Sequence, residues 1–216
     1  MKTTHFIGPV LGFIILFTSC GIFIKNKSER LPERNPRNTI FAVNKSAGES
    51  YKLKGRANQA KIYAQEKGLC DKYCFLVDMS IASGKNRFFV YDLTNNSIVL
   101  SGLVAHGSCN ENFLAEAKFS NTPNCGCSSI GKYKVGCAYY GQYGRAYKLH
   151  GLEAENSNAF IRAVVLHGFS CVPDGEIYPK PLCNSLGCTM VAPNFFAKLS
   201  ALIDHSKKPV MLWIYR

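Results

Sequence analysis

The chain has 216 residues and a mass of 23.9 kDa, room for one catalytic-sized domain plus an extension at roughly 150 residues per domain. Hydrophobic residues at 47% and charged residues at 19% exclude a disordered chain and supply a sizeable core, while the net charge of +12 favours anionic partners. Ten cysteines are too sparse for a disulfide-built miniprotein, and no internal repeat points to a solenoid or propeller.

Residues 6–24, FIGPVLGFIILFTSCGIFI, carry no charge. A bilayer core takes about 20 apolar residues, so this run can just span one; it also fits a secretory signal with Lys2 as its basic start. Within it, Leu16-Phe17-Thr18-Ser19-Cys20 resembles a lipoprotein signal, in which Cys20 is acylated and becomes the new N-terminus. The other reading is an uncleaved anchor with Cys20 buried in it. Lys25, Lys27, Arg30, Arg34 and Arg37 follow, a flank that the positive-inside tendency keeps cytoplasmic. Export is still the expectation, because the chemistry downstream calls for it. From 25 to 67 there are 11 Lys+Arg against 4 Asp+Glu, a net +7 of the total +12. With Pro32 and Pro36, residues 25–54 read as a basic linker lying on anionic headgroups, after an anchor or signal over 1–24. Basic and aromatic residues do not interleave as they do in single-strand binders, so no nucleic acid is expected.

The domain is expected over 55–216. Helix formers between two glycines predict a short helix at 55–68. Strands are predicted at 74–80 and 87–93, then after the turn Thr94-Asn95-Asn96-Ser97 at 98–105, making a hairpin. Further strands are predicted at 132–137, 146–150, 163–167 and 209–215, with a short helix at 194–203. Short strands with glycine turns predict a mainly β sandwich or barrel with a few short helices.

The informative residues lie in the second half. Val164-Val165-Leu166-His167-Gly168 puts a histidine at the end of an apolar strand, ahead of Ser185-Leu186-Gly187-Cys188. Gly187 allows a sharp turn that presents the Cys188 sulfur on a rim. A thiol with pKa near 8.5 is mostly protonated at neutral pH and needs a base, for which His167 is the candidate. Amides around Gly187 and Cys188 are candidates for an oxyanion hole. His150, followed by Gly151, is the rival base; His106, also before a glycine, reads as a strand-end histidine. Tyr143 and Tyr147 fall where cleft walls or core rings would sit.

Taken together, LHG at 166–168 and SLGC at 185–188 with RFFVYDL (87–93), SGLVAHG (101–107), FSN (119–121), SSIGKYKVG (128–136), YGRAYKLHG (143–151) and NSNAFIRAVVLHG (156–168) resemble the murein L,D-transpeptidase catalytic domain. The resemblance runs from about residue 70 to the C-terminus and implies an L,D-transpeptidase-like fold. It implies that Cys188 attacks a diamino-acid carbonyl in a peptidoglycan tetrapeptide stem, releasing D-alanine and leaving a thioester. A second stem's amine would resolve this, with water as the alternative in an L,D-carboxypeptidase. It further implies His167 as base, the Gly168 carbonyl as the holder of its tautomer, and Ser185 as support for the turn. Two departures stand out: Leu186 where the common motif has His, and Thr189-Met190 where it has Arg or Asn shortly after the cysteine. That arginine is a plausible carboxylate anchor, and Arg145 and Arg162 are candidates to replace it. A fold that binds wall peptides without turning them over is the non-enzyme reading.

Setting Cys20 and Cys188 aside leaves eight cysteines, whose pairing the sequence does not show. A bridge between Cys171 and Cys183 would stiffen the loop ahead of Cys188. Cys70-x3-Cys74, Cys125-x-Cys127 and His106-x2-Cys109 lack a repeated metal spacing, so neither metal nor other cofactor is expected.

Overall fold

The computed structural model describes residues 36–216, with side chains from residue 51 onward. The expected signal or anchor at 1–24, with Cys20, lies outside the described residues. Among these, no helix is long and apolar enough to cross a membrane.

Helix α1 (Pro36–Glu66) is followed by β1 (Tyr73–Asp78), β2 (Phe88–Asp92), β3 (Ser97–Gly102), β4 (Gly131–Gly141), β5 (Gly144–Gly151), β6 (Val165–Gly168) and β7 (Thr189–Val191). Helix α2 (Pro193–Asp204) and β8 (Met211–Tyr215) complete the chain. The eight strands form one sheet in the order β3-β2-β1-β8-β4-β5-β6-β7. The expected sandwich or barrel is thus one curled sheet. Its two edges are joined by a bridge from Val104, just beyond β3, to Val191 in β7, with the Ala105 amide on the Met190 carbonyl at 2.9 Å.

Alternation along the strands sorts two cores. From β1 and β8, Cys74, Leu76, Met211, Trp213 and Tyr215 join one cluster with Leu53, Ala57, Ala60 and Ala64 of α1. The alanines recur at helical spacing and let α1 lie close to the sheet. The Arg56 guanidinium lies 4.9 Å from the Trp213 ring and 4.8 Å from that of Tyr215. Phe75, Val77, Leu212 and Ile214 point the other way, into the core with Phe195, Phe196 and Leu199 of α2. Gly102 leaves room for α2, since a Cβ there would come within 2.7 Å of the Phe195 ring.

The helix expected at 55–68 begins instead at Pro36, inside the stretch read as linker. No proline interrupts it after its first residue, and Gly55, where an added Cβ would meet nothing within 4 Å, is tolerated inside it at roughly 1 kcal/mol relative to alanine. The β2–β3 hairpin forms as expected. The Asp92 carboxylate accepts the Thr94 and Asn95 amides at 2.8 Å, and Asn96 takes the left-handed conformation at φ 53°.

Candidate functional site

Strand β6 presents alternate residues to opposite faces. Leu166 enters the α2 core, so Val165 and His167 face away from α2. Strand β7 pairs with β6 in parallel, Leu166 with Thr189 and His167 with Met190, which brings Cys188 level with Val165. Cys188 is held there by the preceding turn. Gly187 has φ 107°, and a Cβ at this position would stand 2.6 Å from the Cys127 carbonyl oxygen, so only glycine fits. The Ser185 hydroxyl accepts the Gly187 amide at 3.1 Å and donates to the Cys188 carbonyl at 2.8 Å. The Ser185 hydroxyl thus bridges the two ends of the turn. The Gly187 amide is spent on it, which corrects the expectation that this amide contributes to an oxyanion hole.

The Cys188 thiol is half-buried and directed at the Ala163 carbonyl, 3.9 Å away. Burial pushes its pKa up, opposed by a hydrogen bond from the Val165 backbone and by the Arg162 charge. His167 is 3% exposed, and burial holds it below the ordinary imidazole range. Its Nδ1 lies 3.2 Å from the Gly168 carbonyl oxygen. A carbonyl only accepts, so Nδ1 carries the proton and Nε2 has the free lone pair. Tyr143 stacks on the His167 ring at 5.2 Å, and Phe169 meets the Tyr143 ring edge-on at 5.5 Å. No hydrogen bond joins His167 to Cys188.

The remaining candidates separate by face. Ala146 pairs with His167 and Lys148 with Val165, so β5 residues of even number share the face of His167. His150 is among them, two strands from Cys188, stacked on Phe160 at 5.1 Å and held below its ordinary pKa by burial and by Lys134 and Lys148. Arg145 and Tyr147 lie on the opposite face, which corrects their assignment to substrate. Arg145 makes a two-pronged contact with Asp204 of α2 at 2.9 and 2.7 Å, and the Tyr147 hydroxyl donates to the same carboxylate at 2.6 Å. Arg162 does lie at the site, but its guanidinium donates to the Ser120 carbonyl at 2.9 Å, the Ser129 hydroxyl and the Cys127 carbonyl. It braces the Cys127 carbonyl against which Gly187 packs.

His106 is fully buried, its Nδ1 3.0 Å from the Arg87 guanidinium, and its backbone carbonyl accepts the Ser185 amide at 2.9 Å. It is a core residue behind the turn. Cys171 and Cys183 are bridged as the sequence suggested; a second bridge, Cys109–Cys127, was not foreseen. Lys148, Lys134 and Phe160 were also missed, although counting by twos from His150 along 144–151 would have flagged Lys148. A cavity of about 600 Å³ elsewhere holds Cys70 and His205. Cys70 is buried in the core, and the His205 Nδ1 is committed to the Ala201 carbonyl at 2.7 Å, so these do not form a second reactive pair.

The family described as the L,D-transpeptidase catalytic domain matches residues 45–215, most of the chain and both halves of the site. The chain belongs to this family. No curated protein matches it. Among solved structures, the carbamoyl enzyme formed by Ldtfm with avibactam is similar at 11% identity and a TM-score of 0.41. That match covers 68% of this chain and 50% of the other, so this chain spans half the length of that relative. The L,D-transpeptidase (residues 123–326) from Xylanimonas cellulosilytica is similar at 14% identity and a TM-score of 0.38, covering 71% of this chain and 68% of that one.

Proposed function

We propose that this L,D-transpeptidase domain acts on peptidoglycan tetrapeptide stems through a Cys188 thioester. The observation that carries the reading is the arrangement of a turn-presented Cys188 beside the strand of His167, whose Nδ1 is tied to the Gly168 carbonyl. In the first step the thiol proton passes to Nε2 of His167 and sulfur attacks the carbonyl of the diamino-acid residue. The Cys188 amide is the donor for the developing oxyanion, since that of Gly187 is occupied. The C–N bond then breaks, His167 returns the proton to the leaving amine, and D-alanine departs. The amine of a second stem attacks the thioester, forming the cross-link and restoring the thiol.

Two disulfides in the described residues fit an oxidising compartment outside the cytoplasm. An uncleaved anchor over 1–24, or an acyl chain on Cys20, would hold the domain at the membrane, facing the wall. The test is incubation of the full chain with tetrapeptide stems, followed by chromatography and mass analysis. Released D-alanine with stem dimers supports the reading. Released D-alanine with tripeptides alone would make water the acceptor, and no release would overturn the reading.

A further inference from the structure

We propose that Lys148 is the cation that holds the terminal carboxylate of the stem bound at Cys188, an inference that rests on the functional reading above. The face of the sheet that carries His167 must bind a peptide whose leaving residue ends in a carboxylate. The arginine that would follow the cysteine is absent, Thr189 and Met190 standing in its place, both buried. Arg162 spends three hydrogen bonds on oxygen acceptors from residues 120–129, which fix its guanidinium in the wall of the turn. Arg145 is across the sheet on Asp204. Of the cations with a carboxylate partner among the described residues, Lys118, Lys132, Arg145 and Lys208, none is Lys148 or Lys134.

Lys148 has the right address. It pairs with Val165, and Cys188 is level with Val165 on the other side, so the three lie in one row across β5, β6 and the start of β7. Adjacent strands are about 4.8 Å apart, which separates the Lys148 and Cys188 backbones by about 10 Å. Swung from the Phe160 and Tyr139 rings to lie across β6, a lysine side chain covers much of that span. The rest suits a substrate whose carboxylate lies one residue beyond the carbonyl under attack.

The ammonium is also prepared for such a partner. Its Nζ lies 5.1 Å from the Phe160 ring and 5.6 Å from the Tyr139 ring, with no carboxylate on it. Phe160 in turn stacks on His150, which pairs in register with Lys134. Phe160 and Ile161 are 53% and 76% exposed, leaving the row open to a ligand. Lys134 adds positive potential at one end, farther from Cys188.

The test compares the full wild-type chain with Lys148→Met and Lys148→Arg on two stems, one with a free terminal carboxylate and one with a terminal amide, reading kcat and KM for D-alanine or D-alaninamide release. Lys148 is exposed on its strand, and an unchanged melting temperature checks that the variants fold. The expected result for Lys148→Met is a KM raised about 10- to 100-fold for the free stem, the loss of one charged hydrogen bond. Its kcat should move little, the amidated stem should be handled as by wild type, and Lys148→Arg should recover most of the loss. Equal preference for the free stem in wild type and Lys148→Met would overturn this inference alone. No release by wild type from either stem would overturn the functional reading and this inference with it.

Discussion

At the β5–β6 end of the sheet, alternate residues of the same two strands build faces of opposite chemistry. Toward α2, Arg145, Tyr147 and Asp204 satisfy one another, and Leu149 and Leu166 are fully buried. On the other face, Lys148, His150, His167 and Cys188 have rings or backbone carbonyls for company and no carboxylate. The first face spends its polar groups on holding α2. The second leaves them free to engage something from outside the chain. Neighbours such as Tyr147 and Lys148 therefore differ in role because a strand turns each successive side chain over.

The sharpest break in that comparison comes from the reactive face. Cys188→Ala should abolish acyl-enzyme formation, and His167→Gln should slow it by about 10²–10⁴. Both variants should retain a melting temperature close to that of wild type, checked by calorimetry. Gly187→Ala tests the turn between the faces. It combines φ 107° with a Cβ placed 2.6 Å from the Cys127 carbonyl, so it should cost about 2 kcal/mol in urea unfolding and impair acylation as well. Asp204→Asn gives the mirror image of Cys188→Ala: about 0.5–1 kcal/mol of stability, as for partly exposed pairs, with acylation rates unchanged.

pH separates the faces further. The Tyr147 hydroxyl, and then Arg145, hold the Asp204 carboxyl below its usual range. Its contribution to stability is present above the unfolded carboxylate pKa and lost as pH falls through the depressed folded value. Acid unfolding of Asp204→Asn should lack that component. Cys188 behaves the other way. Burial raises its pKa, and His167, held below the imidazole range, is neutral at pH 7. Alkylation of Cys188 by iodoacetamide should therefore still be rising past pH 8.5, the ordinary thiol value. A plateau below pH 7 would mean a resting thiolate–imidazolium pair. His106 supplies the smallest test. Burial, and then Arg87, push it down to about 4, so it withdraws stability as pH falls from about 6.5 toward 4 while leaving acylation at neutral pH alone.

Much of this was legible in the chain. Local signals gave the β2–β3 hairpin through its Asn turn and a helix at 194–203, and the LHG and SLGC motifs pointed to the strand end of His167 and the turn before Cys188. The assignment of faces was not legible. It depends on the β4–β5 register, which shifts between Val135 and Ala138, and on which side α2 lies. Arg145 and Tyr147 were chosen for their chemistry and proved to point at α2. The contacts of Arg162 were hidden because its acceptors Ser120, Cys127 and Ser129 are more than 30 residues away in sequence. Nor could the sequence show the parallel pairing of β1 with β8, which joins segments at opposite ends of the domain.

The central claim is that Cys188 is the activated thiol. The direct measurement is peptide mapping by mass spectrometry of the full chain after exposure to a carbapenem, run beside Cys188→Ala. Among the described residues, Cys188 competes there with the free thiols Cys70, Cys74, Cys125 and Cys137. A single adduct on Cys188 that is absent from Cys188→Ala is the predicted result. An adduct on exposed Cys137, or one that persists in Cys188→Ala, would contradict the account.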